Sequence, residues 1–243
     1  MIIYGINPVR EALRAGRATA VGVSRRAVPR LDEILRLAAS RRVPVERLDA
    51  ADLDRATDGA AHQGVMAELA RAPEQTVRDL VAAAAGPPLL VVLDGIEDPQ
   101  NLGAILRVAD AAGVHGLVRQ ARHAAPLAGA AAKASAGAVA HARVATVVNV
   151  ARAVEELKAL QVWTIGLASD APRTLYDVDF TLPTAVVLGA EGTGLRRLVR
   201  ERCDLLAAIP MGGHVDSLNV AAAAAVVLFE AVRQRLCRPR VGG

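Results

Sequence analysis

Aromatic residues are scarce. They make up 2% of the 243 residues: Tyr4, Trp163, Tyr176, Phe180 and Phe229. A single-strand nucleic-acid binder built on stacked aromatics needs more than these, as does an RNA-recognition module with an aromatic sheet face. Cysteine is nearly absent. Cys203 and Cys237 lie far apart without neighbouring partners, which excludes a disulfide framework or a cysteine-based zinc site and points to a reduced, cytosolic protein. The histidines show no H-x-x-x-H or His/Cys grouping, so no metal is expected. The longest apolar run, residues 220–229, is short and alanine-rich. It falls well below the ~18 residues of a membrane span. The N-terminus meets charge at Arg10 and Glu11 without an apolar signal region. The expected location is cytoplasmic, with no membrane partner.

Hydrophobic residues make up 53% of the chain, enough for a real core in one or two domains. The net charge is +4, and of the 29 basic residues only Lys133 and Lys158 are lysines. Arginine suits bidentate phosphate contacts. Twelve arginines and nine acids fall in residues 1–72. Arg25, Arg26 and Arg30 cluster there, as do Arg41 and Arg42. These clusters read either as solvated helix ends or as a phosphate-facing patch. Arg10, Arg25 and Arg26 are the candidate RNA contacts.

Proline and glycine punctuate residues 71–88, which predicts a first domain over 1–71, a linker over 72–88 and a second domain over 89–243. In the first, Asn7 reads as an N-cap with Pro8 at the first helical position. Strands are expected at 20–24, 43–48 and 64–69, with helices at 31–39 and 52–57. The second alternates strands at 89–93, 114–118, 143–147, 162–168, 185–188 and 205–209 with helices at 102–111, 125–138, 151–160, 195–201 and 217–236. That alternation implies an α/β fold with a parallel sheet covered on both faces, and ligands beyond the C-terminal ends of its strands.

Three loops leave such strand ends: residues 94–107, 188–195 and 209–219. Neither a Walker loop nor a G-x-G-x-x-G turn is present. Ser135 and Ser217 lack a nucleophile-elbow context. What remains is glycine-rich polar loops carrying Glu191, Asn101, Asn219 and Arg107. Glycine lets backbone groups approach a ligand closely, which suits an adenosine-containing cofactor without phosphates. Three ordinary strand-to-helix turns would look the same, with Asn101 and Ser217 serving only as helix N-caps and Arg107 paired with Glu97 or Asp110.

The loops resemble the three motifs of the SpoU (TrmH) branch of the SPOUT methyltransferases. The first is Asn101-x-Gly103-Ala104-x-x-Arg107. The second is Leu188-Gly189-x-Glu191-Gly192-x-Gly194. The third is Ile209-Pro210-Met211 followed by Ser217-Leu218-Asn219-Val220. The stretch from Lys133 to Gly137 resembles a family segment between motifs one and two. Tyr4 to Leu13 and His62-Gln63-Gly64-Val65 resemble the family's substrate-binding domain, itself similar to ribosomal protein L30e. Thr193 departs from the pattern, standing where an acidic residue is frequent, and the alanine run 222–225 replaces a more mixed helix start.

The resemblance implies a C-terminal parallel-sheet domain with a deep trefoil knot, a small N-terminal α/β L30e-like domain, and a homodimer whose interface includes the last helix. It implies S-adenosyl-L-methionine as cofactor, contacted by Gly189, Ile209 and Leu218 through backbone groups and by Ser217, Ala168 and Met211. The implied activity is 2′-O-methylation of a ribose, that of a guanosine in large-subunit ribosomal RNA. A transfer-RNA ribose methyltransferase and a non-catalytic RNA-binding assembly factor are the alternatives. Arg107, Asn101, Glu191 and Asn219 are the implied catalytic set. Arginine is a poor base at a pKa above ~12, so Arg107 is expected to stabilise a developing alkoxide or anchor a phosphate. Asn101 and Asn219 would orient Arg107 or the ribose. Glu191 would hold Arg107 or the substrate.

Overall fold

The computed structural model describes residues 1–26, 29–71 and 73–237. Residue 72, where the linker was expected to begin, and residues 238–243 at the end of the second domain lie outside them. The chain divides into two compact units. One comprises Met1–Pro73, Leu102–Arg107 and Ala125–Ala142; the other comprises Glu74–Asn101, Val108–Ala124 and Arg143–Gly243.

In the first unit the elements run β1 (Ile2–Tyr4), α1 (Ile6–Arg14), β2 (Ala18–Ser24), α2 (Asp32–Ser40), β3 (Val45–Leu48), α3 (Ala50–Ala56) and β4 (Val65–Leu69). The strands form a four-stranded mixed sheet in the order β1-β4-β2-β3. Apolar residues at helical spacing bury one face of α1 through Pro8, Val9, Ala12 and Leu13. Asn7 does not cap this helix. Gly5 holds the N-cap position at φ 93°, and the Ile6 N–H donates to Gln63 Oε1 at 3.0 Å. Only glycine adopts that turn out of β1 without strain, which shifts the helix start ahead of Asn7. The three-residue strand β1 escapes sequence reading because it is too short to show a period.

The second unit, with the helix α5 that contributes to both, continues as α4 (Val77–Ala82), β5 (Leu89–Asp94), α5 (Pro99–Ala111) and β6 (Gly116–Gln120). In the first unit's later stretch comes α6 (Ala130–Ala134), followed by a 3₁₀ turn at Ala138–Ala140. The chain then runs β7 (Val144–Val147), α7 (Val150–Ala159), β8 (Trp163–Leu167), β9 (Arg173–Thr174), β10 (Thr184–Gly189), α8 (Arg197–Arg202), β11 (Leu205–Ala208) and α9 (Val220–Cys237). The small-residue helix expected at 125–138 is cut short at both ends. Gly129 precedes it at φ 59°, and Ala136 and Gly137 adopt φ 53° and 103° after it. Alanine content favours helix locally, but these left-handed turns override it.

Gly103 and Gly137 show why that segment is turned. A Cβ on Gly103 would lie 2.4 Å from Ala134 Cβ and 2.6 Å from the Ala131 carbonyl oxygen, so α5 meets α6 at backbone contact. A Cβ on Gly137 would lie 2.6 Å from Glu11 Cβ. His141 Nε2 lies 3.4 Å from Glu11 Oε2, and Lys133 donates to the Ala61 carbonyl oxygen at 3.1 Å. Burial pushes the Glu11 pKa up, but hydrogen bonds from His141 and Arg10 and the charges of Arg14 and Arg10 hold it below the usual carboxylate value.

The second unit's sheet is wholly parallel, in the order β7-β6-β5-β10-β8-β11-β9. Every residue of β5 is buried, as expected for a central strand covered on both faces. Leu90, Val92, Val118, Ala185 and Val187 pack with Leu80, Val154 and Leu157 of the covering helices in one core. The chain lays β6 and β7 outward on one side of β5 and β8 on the other, and β10 then fills the place between β5 and β8. That reversal is a topological switch point, where open α/β sheets bind ligands. No described helix is long and apolar enough to cross a membrane, and no cluster of three or more potential metal ligands occurs among the described residues.

Candidate functional site

Two neighbouring strands, β5 and β10, are tied together at their C-terminal ends. Asp94 closes β5 and is fully buried. Its carboxylate accepts from the Arg196 backbone N–H at 2.8 Å and from Arg196 Nε at 2.6 Å. A buried carboxylate is stable only when so paired, and the pairing pins the end of the 190–196 loop. Sequence reading assigns neither residue a role. The only signal is a charged residue ending an otherwise apolar strand. The loop itself folds back: Ala190 and Gly194 exchange backbone hydrogen bonds at 3.1 and 2.9 Å. A Cβ on Gly189 would lie 2.2 Å from the Gly194 carbonyl carbon, so no other residue allows this fold-back.

The first turn of α5 carries Asn101. Asp98, not Asn101, caps this helix, accepting from the Gln100 and Asn101 N–H groups at 3.1 Å each, with Pro99 behind it. The Asn101 side chain is therefore free for another use. It is only 8% exposed. Its Nδ2 donates to Glu191 Oε2 at 3.0 Å, and its Oδ1 accepts from Asn219 Nδ2 at 2.9 Å. Asn219 in turn accepts from the Ala221 N–H at 2.9 Å, capping α9. That helix thus begins at Val220 rather than at Ser217, and Ser217 stays in the preceding loop. One residue from each of the three motif loops meets in this chain of hydrogen bonds.

Beside it lies a cavity of about 370 Å³. All six expected cofactor residues line it: Ala168, Gly189, Ile209, Met211, Ser217 and Leu218. Glu191 and Asn219 complete its polar wall. Leu167, Leu188, Ala207 and Val220 supply its aliphatic walls, and no lysine or arginine among the described residues lines it. A pocket of this size that combines aliphatic walls with convergent polar groups suits one small molecule. Among the described residues, the charged side chains on its wall are the carboxylates of Glu191 and Asp216. They attract a cationic sulfonium or ammonium and repel phosphate. An adenosine joined to a sulfonium amino acid fits; a nucleotide polyphosphate does not.

Arg107 lies six residues after Asn101 on α5, about 120° round the helix at ~100° per residue. It is exposed, and it makes no hydrogen bond or ion pair among the described residues. Glu97 and Asp110 do not pair with it; Glu97 lies 3.8 Å from His123. Glu191 spends one carboxylate oxygen on Asn101. Of the candidate RNA contacts, Arg10 is half-buried and faces Glu11 at 3.4 Å and Glu33 at 3.7 Å. Arg25 faces Asp49 at 3.3 Å with most of its side chain exposed. Arg26 is exposed and makes no ion pair among the described residues.

Comparison with known proteins agrees with this geometry. Residues 88–229 match the SpoU rRNA Methylase family, and residues 2–75 match the family described as RNA 2′-O ribose methyltransferase substrate binding. A Burkholderia protein named 23S rRNA (guanosine-2′-O-)-methyltransferase RlmB is 44% identical over 241 residues, covering 98% of both chains. The protein of the same name from Pseudomonas putida is 41% identical over 239 residues, covering 96% of both. The solved SpoU methyltransferase AviRb from Streptomyces viridochromogenes, in complex with the cofactor AdoMet, is 27% identical. It superposes with a TM-score of 0.82 over 98% of this chain and 91% of its own. By motifs, fold and extent of match, the chain belongs to the SpoU rRNA methylase family.

Proposed function

We propose that the protein methylates the 2′-oxygen of a guanosine ribose in large-subunit ribosomal RNA, using S-adenosylmethionine. The observation that carries this reading is the cavity at the switch point, lined by all six expected cofactor residues and walled by the Glu191–Asn101–Asn219 chain. The near full-length relatives named as 23S rRNA guanosine 2′-O-methyltransferases support the choice of substrate.

When bound, the cofactor supplies an electrophilic methyl group on a sulfonium. Gly189, Ile209 and Leu218 would hold it through backbone groups, with Ala168, Met211 and Ser217 around it. The cavity's carboxylates favour its positive charge. Asn101 and Asn219 fix the wall on which the acceptor ribose rests, and the Glu191 carboxylate is oriented by Asn101. A fixed wall of this kind aligns the acceptor oxygen for in-line attack. The 2′-hydroxyl would give up its proton as its oxygen bonds to the methyl carbon and the carbon–sulfur bond breaks, the sulfur leaving as a neutral thioether. Arg107 stabilises the developing negative charge or anchors the adjacent phosphate, and a phosphate oxygen or water takes the proton.

The finer architecture follows the same reading. The C-terminal sheet forms a deep trefoil knot; the placing of β10 between β5 and β8, and the return of the 209–219 loop to the same cavity, support it. Residues 1–71 form an L30e-like RNA-binding domain, 72–88 a linker and 89–243 the methyltransferase domain; the two family matches support this division. Arg10, Arg25 and Arg26 contact RNA. The protein acts as a cytoplasmic homodimer, with Arg107 of one subunit serving cofactor held by the other. Ala222, Phe229 and Leu236 are exposed at seven-residue spacing along α9, an apolar line suited to a second helix. Single-turnover methyl transfer tests the role of Arg107: Arg107→Ala slows it by at least about a hundredfold, and an unchanged rate contradicts the mechanism.

A further inference from the structure

A second cleft, of about 490 Å³, adjoins the cofactor cavity's polar wall. The two cavities share Ala190, Glu191, Gly194 and Val220. Asn101 borders the second. A ligand there therefore touches the same hydrogen-bonded residues that wall the cofactor cavity.

The polar lining of this cleft is rich in acceptors. Glu97 stands on it with 65% of its side chain exposed, and among the described residues its one ion pair is with His123 at 3.8 Å. Gln120 also lines it and is 5% exposed. Its Nε2 donates to the His123 carbonyl oxygen, and its Oε1 has no partner among the described residues. The carboxylate of Glu191 lies in the shared wall. Among the described residues, His123 and one arginine stand against these; the arginine, Arg196, is held by Asp94 with 56% of its side chain exposed.

A phosphate would meet repulsion from this lining. A planar group with adjacent N–H donors and one carbonyl acceptor would not. Among the four RNA bases only guanine offers that set: N1–H and the 2-amino group side by side, with O6 next to them. A carboxylate accepts both donors bidentately, and a guanidinium donates to O6. Adenine carries an acceptor at N1 and an amino group at C6, which reverses the match. We propose that this cleft receives the guanine base of the target nucleotide, with Glu97 accepting from N1–H and the 2-amino group and Arg196 donating to O6. The inference rests on the proposed methylation of a guanosine and names the residues that select the base. Glu97 is then a specificity-determining residue.

The test compares an RNA fragment methylated by the wild type with the same fragment carrying inosine at the methylated position. Inosine keeps O6 and N1–H but lacks the 2-amino group. The wild type should lose about tenfold or more in kcat/KM on the inosine fragment. Glu97→Ala should lose activity on guanosine and bring the guanosine-to-inosine ratio close to one, with cofactor affinity unchanged because Glu97 lies off the cofactor cavity. Glu97→Asp should restore part of the ratio. A purely structural role for Glu97 would lower both substrates alike and leave the ratio intact, which would overturn the inference. Equal wild-type rates on the two fragments would overturn it as well, while the methyltransferase reading stood. No methyl transfer to ribosomal RNA by the wild type, or a target other than guanosine, would overturn the proposed function and the inference with it.

Discussion

Asn219 Nδ2 donates to Asn101 Oδ1 at 2.9 Å across 118 residues of sequence. This bond joins the start of α9 to the first turn of α5. Because Asn101 also donates to Glu191, a change at any of the three is felt by the other two. Asn101→Ala removes the partner of the Glu191 carboxylate and of Asn219 Nδ2. Methyl transfer should fall about tenfold or more, at a stability cost of about 1 kcal/mol, since Glu191 and Asn219 are exposed and water meets their freed groups. Single-turnover rates and thermal melts check both. Asn219→Ala should cost about 1 kcal/mol more than the loss of that bond, through the lost cap of α9.

Gly189 and Gly213 separate backbone need from mere glycine content. Both lie in motif loops. Gly189→Ala puts a methyl group 2.2 Å from the Gly194 carbonyl carbon, whereas a Cβ at Gly213 meets nothing within 4 Å. Overpacking typically costs 1–3 kcal/mol, so Gly189→Ala should weaken cofactor binding by about tenfold or more. Gly213→Ala should bind within about twofold of the wild type, since a methyl group facing open space adds no overpacking term. Titration calorimetry with the cofactor distinguishes them.

Cys203 is half-buried against β8, and desolvation there, aided by the neighbouring Asp204 charge, pushes its thiol up to about 12. The folded state therefore favours the neutral thiol. The stability this gives is fully present below the ordinary thiol value of about 9. It declines as pH rises from there towards 12, because the unfolded thiol ionises first. The melting temperature of the wild type should drop more steeply over that window than that of Cys203→Ala. At neutral pH a thiol reagent should label exposed Cys237 and spare Cys203 until the protein is denatured.

The arginines of the first unit give a separate prediction. Charge reversal at Arg25 and Arg26 should weaken RNA binding by about tenfold or more at low salt and flatten its salt dependence. Cofactor affinity should not change. Equal RNA affinity for that variant would place the RNA contact elsewhere.

Much of this site was legible in the sequence because its parts are local. Gly189, Glu191, Ile209 and Ser217 sit in short polar loops directly behind apolar strands, and the alternation of those strands already fixes the loops at one end of a parallel sheet. Partners far apart in sequence were not legible. Nothing near Asn101 announces that its amide meets Glu191, ninety residues on. Nothing near Asp94 announces Arg196. Gly103 reads as a poor helix residue until Ala134 is found against it. The cap of α1 was misread because Asn7 and Pro8 carry a strong local signal, while the deciding bond comes from Gln63. The alanine segment at 125–138 was misread as one long helix because composition outweighs two left-handed residues in any window average.

The most direct measurement is methyl transfer from labelled S-adenosylmethionine to purified ribosomal RNA and transfer RNA, side by side, with the modified nucleotide mapped by nuclease digestion. The account predicts label on one guanosine ribose of the large-subunit RNA and none on transfer RNA. Label confined to transfer RNA, or bound cofactor with no transfer to naked ribosomal RNA or ribosomal precursor particles, would contradict it.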